Sequence, residues 1–188
     1  MAGVVEIRDT RQESPDGPQI LAITLADLLK CIAPEGSKLT WTILDLEAAG
    51  ELSDGRNMLD LEDQIEALPN GLIVSWEALL DLTQALHQVT NCLLAGVRDP
   101  IVLAQIGRGR SLIGICDLVL EAIDSSLWSI YARDDRVLTL LRHGNVVAAN
   151  VETDQPSWCQ TREQLSDERL QQSMTQRPVG ERTTARRS

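Results

Sequence analysis

Between Leu118 and His143 the spacing of apolar and polar positions changes once, and the change marks an element boundary. Val119, Glu121 and Ile123, then Trp128 and Ile130, recur every two residues, the period of strands. Asp124-Ser125-Ser126 between them is turn chemistry, so the pair reads as a hairpin. In that hairpin Trp128 shares a side with Ile130 and, across the turn, Ile123. Past Asp134-Asp135 the period becomes helical. Val137, Leu138 and Leu141 share one face, and His143-Gly144 is a stop whose imidazole favours the helix C-terminus.

The same reading extends upstream. Val4 to Ile7 is a short candidate strand, followed by the breaker run from Ser14 to Pro18. Thr24 to Ala33 reads as a helix with Thr24 and Asp27 as its capping pair and Leu25, Leu28, Leu29 and Ile32 as its stripe, ended by Pro34-Glu35-Gly36. Leu39 to Glu51 reads as a strand. Strict alternation turns Leu44, Leu46 and Ala48 one way and Trp41, Ile43, Asp45 and Glu47 the other. A second helix runs from about Asn57 to Leu68 on Met58, Leu61, Ile65 and Leu68, with Pro69-Asn70-Gly71 as its stop. A third starts at a Ser75 cap, packs through Trp76, Leu79, Leu80, Thr83 and Leu86, and carries His87. Cys92 to Val97 is apolar enough for the middle of a sheet. Strands are expected around Ile101 to Ile106 and Leu112 to Ile115, joined by a turn at Gly107 to Gly109. From about Thr153 periodicity is lost. The expectation is therefore an α+β single domain over residues 1–152 and a disordered tail over 153–188. Its sheet, mixed or antiparallel, would have about four to six strands packed with about four helices.

Composition narrows the function classes. Phe is absent and aromatic residues make up only 3%, which argues against a stacking platform for single-stranded nucleic acid. No run has the ~20 apolar residues of a membrane span, and the N-terminus lacks a signal-peptide pattern, so the expected address is the cytoplasm. Cys31, Cys92, Cys116 and Cys159 are widely separated, with no CxxC pair. The first three lie in apolar sequence, where thiols serve as small hydrophobes; neither a metal nor a cofactor is expected. Residues 1 to 150 hold two acids for every base and account for the whole net charge of −11. Such a surface repels nucleic acid and anionic lipid and favours a basic protein partner.

The candidate chemistry is correspondingly sparse, and no catalytic motif is present. His87 and His143 are too far apart in sequence to form an evident pair; each has a plain structural reading, although His is a common acid or base. Gly107-Arg108-Gly109-Arg110-Ser111 lacks the spacing of a phosphate loop. Arg108 and Arg110 offer donors for an anion, or else form an ordinary basic turn. The acids are denser. Asp45 and Glu47 share a strand face, Asp60, Glu62, Asp63 and Glu66 follow closely, and Glu121 lies near Asp124. They are either a solvated face or a negative docking surface.

Three stretches resemble the immunity proteins encoded beside bacterial polymorphic or contact-dependent toxins: LTWTILDLEAAGE, PNGLIVSWEALLDLTQALHQVTNCLLAGV and IDSSLWSIYARDDRVLTLLRH, together spanning residues 39–143. The aromatic residue usual in the closing helix is missing here. The resemblance implies a non-catalytic α+β protein that protects its producer by binding one toxin. The residues expected at the interface are Asp45, Glu47, Asp60, Glu62, Asp63 and Glu66, with Trp76 and Trp128 as possible anchors or core. Two alternatives remain: a hydrolase using carboxylates and His87, and a small-molecule or regulatory module using the Gly107 to Ser111 turn. Oligomeric state is not encoded in any pattern seen.

Overall fold

A computed structural model of the chain describes residues 2–8, 10–12 and 19–143. In chain order the elements are β1 (Gly3–Ile7), the short pair β2 (Thr10–Gln12) and β3 (Gln19–Leu21), α1 (Leu25–Gly36), β4 (Thr40–Gly50), α2 (Met58–Ala67), β5 (Leu72–Val74), α3 (Trp76–Ala85), β6 (Leu86–Val97), a 3-10 segment (Pro100–Gln105), β7 (Leu118–Ile123), β8 (Leu127–Ala132) and α4 (Asp135–His143). Six strands form one antiparallel sheet in the order β1-β8-β7-β6-β4-β5, with β2 and β3 paired separately. The architecture is α+β. The tail expected from Thr153, and the thiol of Cys159, lie outside the described residues.

The helices start where the sequence places their caps. The Thr24 hydroxyl accepts from the Asp27 amide (3.2 Å), and Asp27 accepts from the Thr24 amide (3.1 Å). Asn57 and Ser75 each accept from the amide three residues on. Helix α1 continues through Pro34 to Gly36 rather than ending at Ala33. Proline removes one main-chain donor, but Ser37 still donates to the Ala33 carbonyl and closes the last turn.

One face of the sheet carries the main core. Leu28, Leu29 and Ile32 of α1, Trp76 and Leu79 of α3, and Val137, Leu138 and Leu141 of α4 pack with Val5, Trp41, Ile43, Leu94, Leu118, Leu120, Trp128 and Ile130. The Trp41 and Trp76 rings are 6.1 Å apart, and the Trp128 indole donates to the Ile23 carbonyl at 2.8 Å. Trp76 and Trp128 are thus core residues, 9% and 1% exposed. Leu68, expected on the buried stripe of α2, is 36% exposed because the helix ends at Ala67 and Leu68 turns extended.

Three expectations fail for physical reasons. A bulge between Ile43 and Asp45 makes Leu44 an extra residue opposite β6. Trp41 and Ile43 therefore share the core face with Leu46 and Ala48, while Leu44 joins the opposite face with Asp45 and Glu47. Strict alternation would have turned the two carboxylates toward the tryptophan side. Secondly, α3 stops at Ala85 and Leu86 to Val97 is one strand, so His87 is an exposed strand residue. Strand β4 extends to Gly50 and offers ladder partners as far as Leu86, which outweighs local helical preference. Thirdly, 98–117 contains no strand. Pro100 opens a 3-10 turn capped by Asp99, and the segment folds over the second sheet face, burying Leu103, Ile106 and Leu112 beside Leu44, Val97 and Tyr131. The hairpin register also shifts by one: Trp128 opposes Ala122, and Ile123 pairs with Leu127. The turn itself is the expected Asp124-Ser125-Ser126, with Asp124 and Ser125 at φ of 49° and 53°.

Candidate functional site

Segment 98–117 covers only part of the second sheet face. Beside it lies an open cleft of about 610 Å³. Asp45, Leu93 and Glu121 form its floor on neighbouring strands, since Asp45 pairs with Leu93 and Leu93 with Glu121. Glu62, Asp63 and Glu66 line one wall from α2, and the turn Gly107 to Arg110 lines another. The amphipathic spacing of α2 explains this arrangement. Met58, Leu61 and Ile65 are buried, which leaves the positions between them turned outward.

Two groups hold the walls in place. Strand β5 pairs with β4 only over Trp41 to Ile43, so the edge of β4 beyond Ile43 faces α2. Glu62 there accepts the Ala48 amide at 2.9 Å, satisfying an edge donor. Arg108 donates from Nε to the Leu44 carbonyl (2.8 Å) and from its Nη atoms to the Glu66 and Ile65 carbonyls (2.9 and 3.0 Å). It thus fastens the bulge to the C-terminus of α2, where the Ile65 carbonyl also accepts the Leu68 amide. Arg110 donates to the Gln105 carbonyl at 3.2 Å. The two guanidiniums considered as anion donors are directed, through these atoms, at main-chain oxygens.

Of the six acids singled out in the sequence, Asp45, Glu62, Asp63 and Glu66 converge on the cleft. Glu47 lies next to it on the same strand face, where it accepts from Asn91 (2.6 Å), whose own side-chain oxygen accepts the Asp124 amide. Asp60 does not line the cleft; it sits in the first turn of α2, its amide held by Asn57. Glu121, noted in the sequence but not chosen, completes the floor although it is only 7% exposed. Its place was hidden because the register linking β4, β6 and β7 is not a local property. Asp45 is pushed above the usual carboxylate range by burial, an effect that Arg108 opposes and that Glu47 and Glu66 reinforce. Cys92, also at the cleft, is raised to about 12 by burial and is therefore an inert thiol at neutral pH.

A second polar hollow of about 420 Å³ lies where α1, β6, β8 and α4 meet. Glu35 receives Lys38 at 2.9 Å and Arg98 at 3.1 Å, Arg98 and Arg133 approach Asp117, and Arg136 pairs with Asp134. Hydrogen bonds from Arg136 hold Asp134 down at about 2. Both charge signs are present and paired, so this cluster ties elements together. Among the described residues no grouping of His, Cys, Asp and Glu is arranged to hold a metal ion, and no helix is long and apolar enough to cross a membrane. No family model, curated protein or solved structure matches the chain.

Proposed function

We propose that the chain is a non-catalytic binding protein that neutralises a basic protein partner, in the immunity-protein reading a toxin domain, by receiving its Arg and Lys side chains in the acidic cleft. The observation that carries this reading is the convergence of Asp45, Glu62, Asp63, Glu66 and Glu121 around one open cavity, opposed by only two arginines. A concave negative site with low-dielectric walls concentrates field and steers a cationic partner. Arg108 and Glu62 fix the walls through main-chain bonds, so the carboxylates are preorganised.

The test replaces Asp45, Asp63 by Asn and Glu62, Glu66 by Gln in the full chain. Glu62→Gln keeps an oxygen for the Ala48 amide. Nona-arginine serves as a first probe, and the C-terminal domain of any large secreted protein encoded immediately upstream as a second. Binding of both should weaken at least about tenfold in the fourfold variant, as loss of several close charges does. Equal binding by parent and variant at low salt would remove the cleft as the interface.

A further inference from the structure

Among the described residues nothing covers the stretch of sheet that β4, β6 and β7 present in the open cleft, with carboxylates at its floor and along α2. An occupant complementary to these carboxylates is cationic. The described part of the chain has little to offer: the two arginines at the rim are turned to main-chain carbonyls, and Arg98, Arg133 and Arg136 are held in the ion-pair cluster at the junction of α1, β6, β8 and α4.

The sequence supplies a source elsewhere. Residues 151–188 sum to zero, but the two signs are segregated. Residues 152–168 hold five acids (Glu152, Asp154, Glu163, Asp167 and Glu168) and one base, Arg162. Residues 169–188 hold five bases (Arg169, Arg177, Arg182, Arg186 and Arg187) and one acid, Glu181. This arginine block is complementary in sign to the cleft, and it follows an acidic block that would be repelled from it. Reach is sufficient. The 25 residues between His143 and Arg169 can extend to roughly 80–90 Å, at ~3.3–3.6 Å per residue. A domain of this size has a radius of gyration of only about 15 Å.

We propose that the arginine block of residues 169–188 docks within the same chain onto the acidic cleft and competes there with the basic partner. The proposal rests on the reading of the cleft as a cation-receiving surface and adds a regulatory contact to it. A tethered competitor acts at an effective concentration in the millimolar range. Apparent partner affinity is reduced accordingly, and a partner needs a stronger or more multivalent basic surface to displace the block. The cleft is thereby screened from casual cations.

The experiment compares the full-length parent with a full-length variant in which Arg169, Arg177, Arg182, Arg186 and Arg187 are all Gln. Backbone amide spectra at low salt should differ at Asp45, Leu93 and Glu121, and the differences should be independent of protein concentration. The variant should bind nona-arginine about tenfold more tightly than the parent. Unchanged floor amides together with equal nona-arginine affinity would overturn the docking but leave the cleft standing as a binding site. Unchanged floor amides with no nona-arginine binding by either protein would sink both. Differences that vanish on dilution would overturn the intramolecular contact in favour of one between two copies.

Discussion

Arg108 concentrates much of the local architecture in one side chain, because three carbonyls from two elements converge on its planar guanidinium. Removing it takes the side-chain donor from the partly buried Leu44 carbonyl and unties that carbonyl from the end of α2, where Ile65 keeps the Leu68 amide. Arg108→Ala should cost about 1–3 kcal/mol in chemical denaturation, and Arg108→Lys should recover little, since one ammonium cannot reproduce the fork. Asp45 makes the opposite prediction. Its folded-state pKa lies above its unfolded value, so ionisation in the fold is unfavourable, and its contribution is lost as pH rises through the raised pKa. Asp45→Asn should therefore raise the melting temperature at neutral pH while weakening basic ligands. An unchanged or lower melting temperature would show that Arg108 already offsets the burial. Trp128→Ala should cost about 3–5 kcal/mol, as expected for a large side chain that is 1% exposed. Burial of Trp128 was legible from its spacing, but its partner across the hairpin was not. With Ile123 paired to Leu127 across Asp124-Ser125-Ser126, Ala122 and not Ile123 stands opposite it.

At the scale of elements, helix starts were legible because caps are chemical statements made within four residues, as at Thr24, Asn57 and Ser75. Their ends, and the phase of β4, depend on distant partners. The Leu44 bulge is visible only as an apparent conflict: reading in steps of two from Trp41 and Ile43 ends on Asp45 and Glu47. The turn that returns α2 to the sheet is equally exacting. Gly71 has φ of +74°, and a Cβ there would lie 2.3 Å from the Ile43 carbonyl oxygen. Gly71→Ala should cost more than about 1 kcal/mol in thermal or denaturant unfolding, because both conformation and space exclude the methyl. The docking of α4 carries a pH signature. Asp134 titrates near 2 in the fold and near 3.8 in its absence. Its stabilising contribution is complete above the upper value and disappears as pH falls through the lower one. Amide exchange in Val137 to Leu141 should accelerate across that acid window in the parent and show less pH dependence in Asp134→Asn.

For the molecule as a whole, net charge and fold class were legible in composition and period, and four of six candidate acids do meet in one cleft. What composition could not convey is that these four come from two elements, β4 and α2, and are joined by Glu121 from a third, β7. That assembly is decided by sheet order β7-β6-β4 and by the place of α2 along the edge of β4. If the cleft receives a basic partner, association should slow steeply with salt, because exposed charges are screened over ~8–10 Å near physiological ionic strength. Stopped-flow measurement of the on-rate with nona-arginine across a salt series checks this, and a flat dependence would argue that contact is apolar.

The bond from the Ala48 amide to Glu62 has one more implication, for colloidal behaviour. Among the described residues the outer rim of β4 beyond Ile43 has no strand beside it, and rows of free amides and carbonyls are templates for joining one molecule to the next. Helix α2 lies along that rim and plugs it with a carboxylate. Any event that peels α2 away, whether a mutation at Ile65 or an over-greedy ligand gripping Glu62, would bare a long strand next to apolar surface. Fibrous aggregates seeded along β4, rather than simple unfolding, are then the failure to look for.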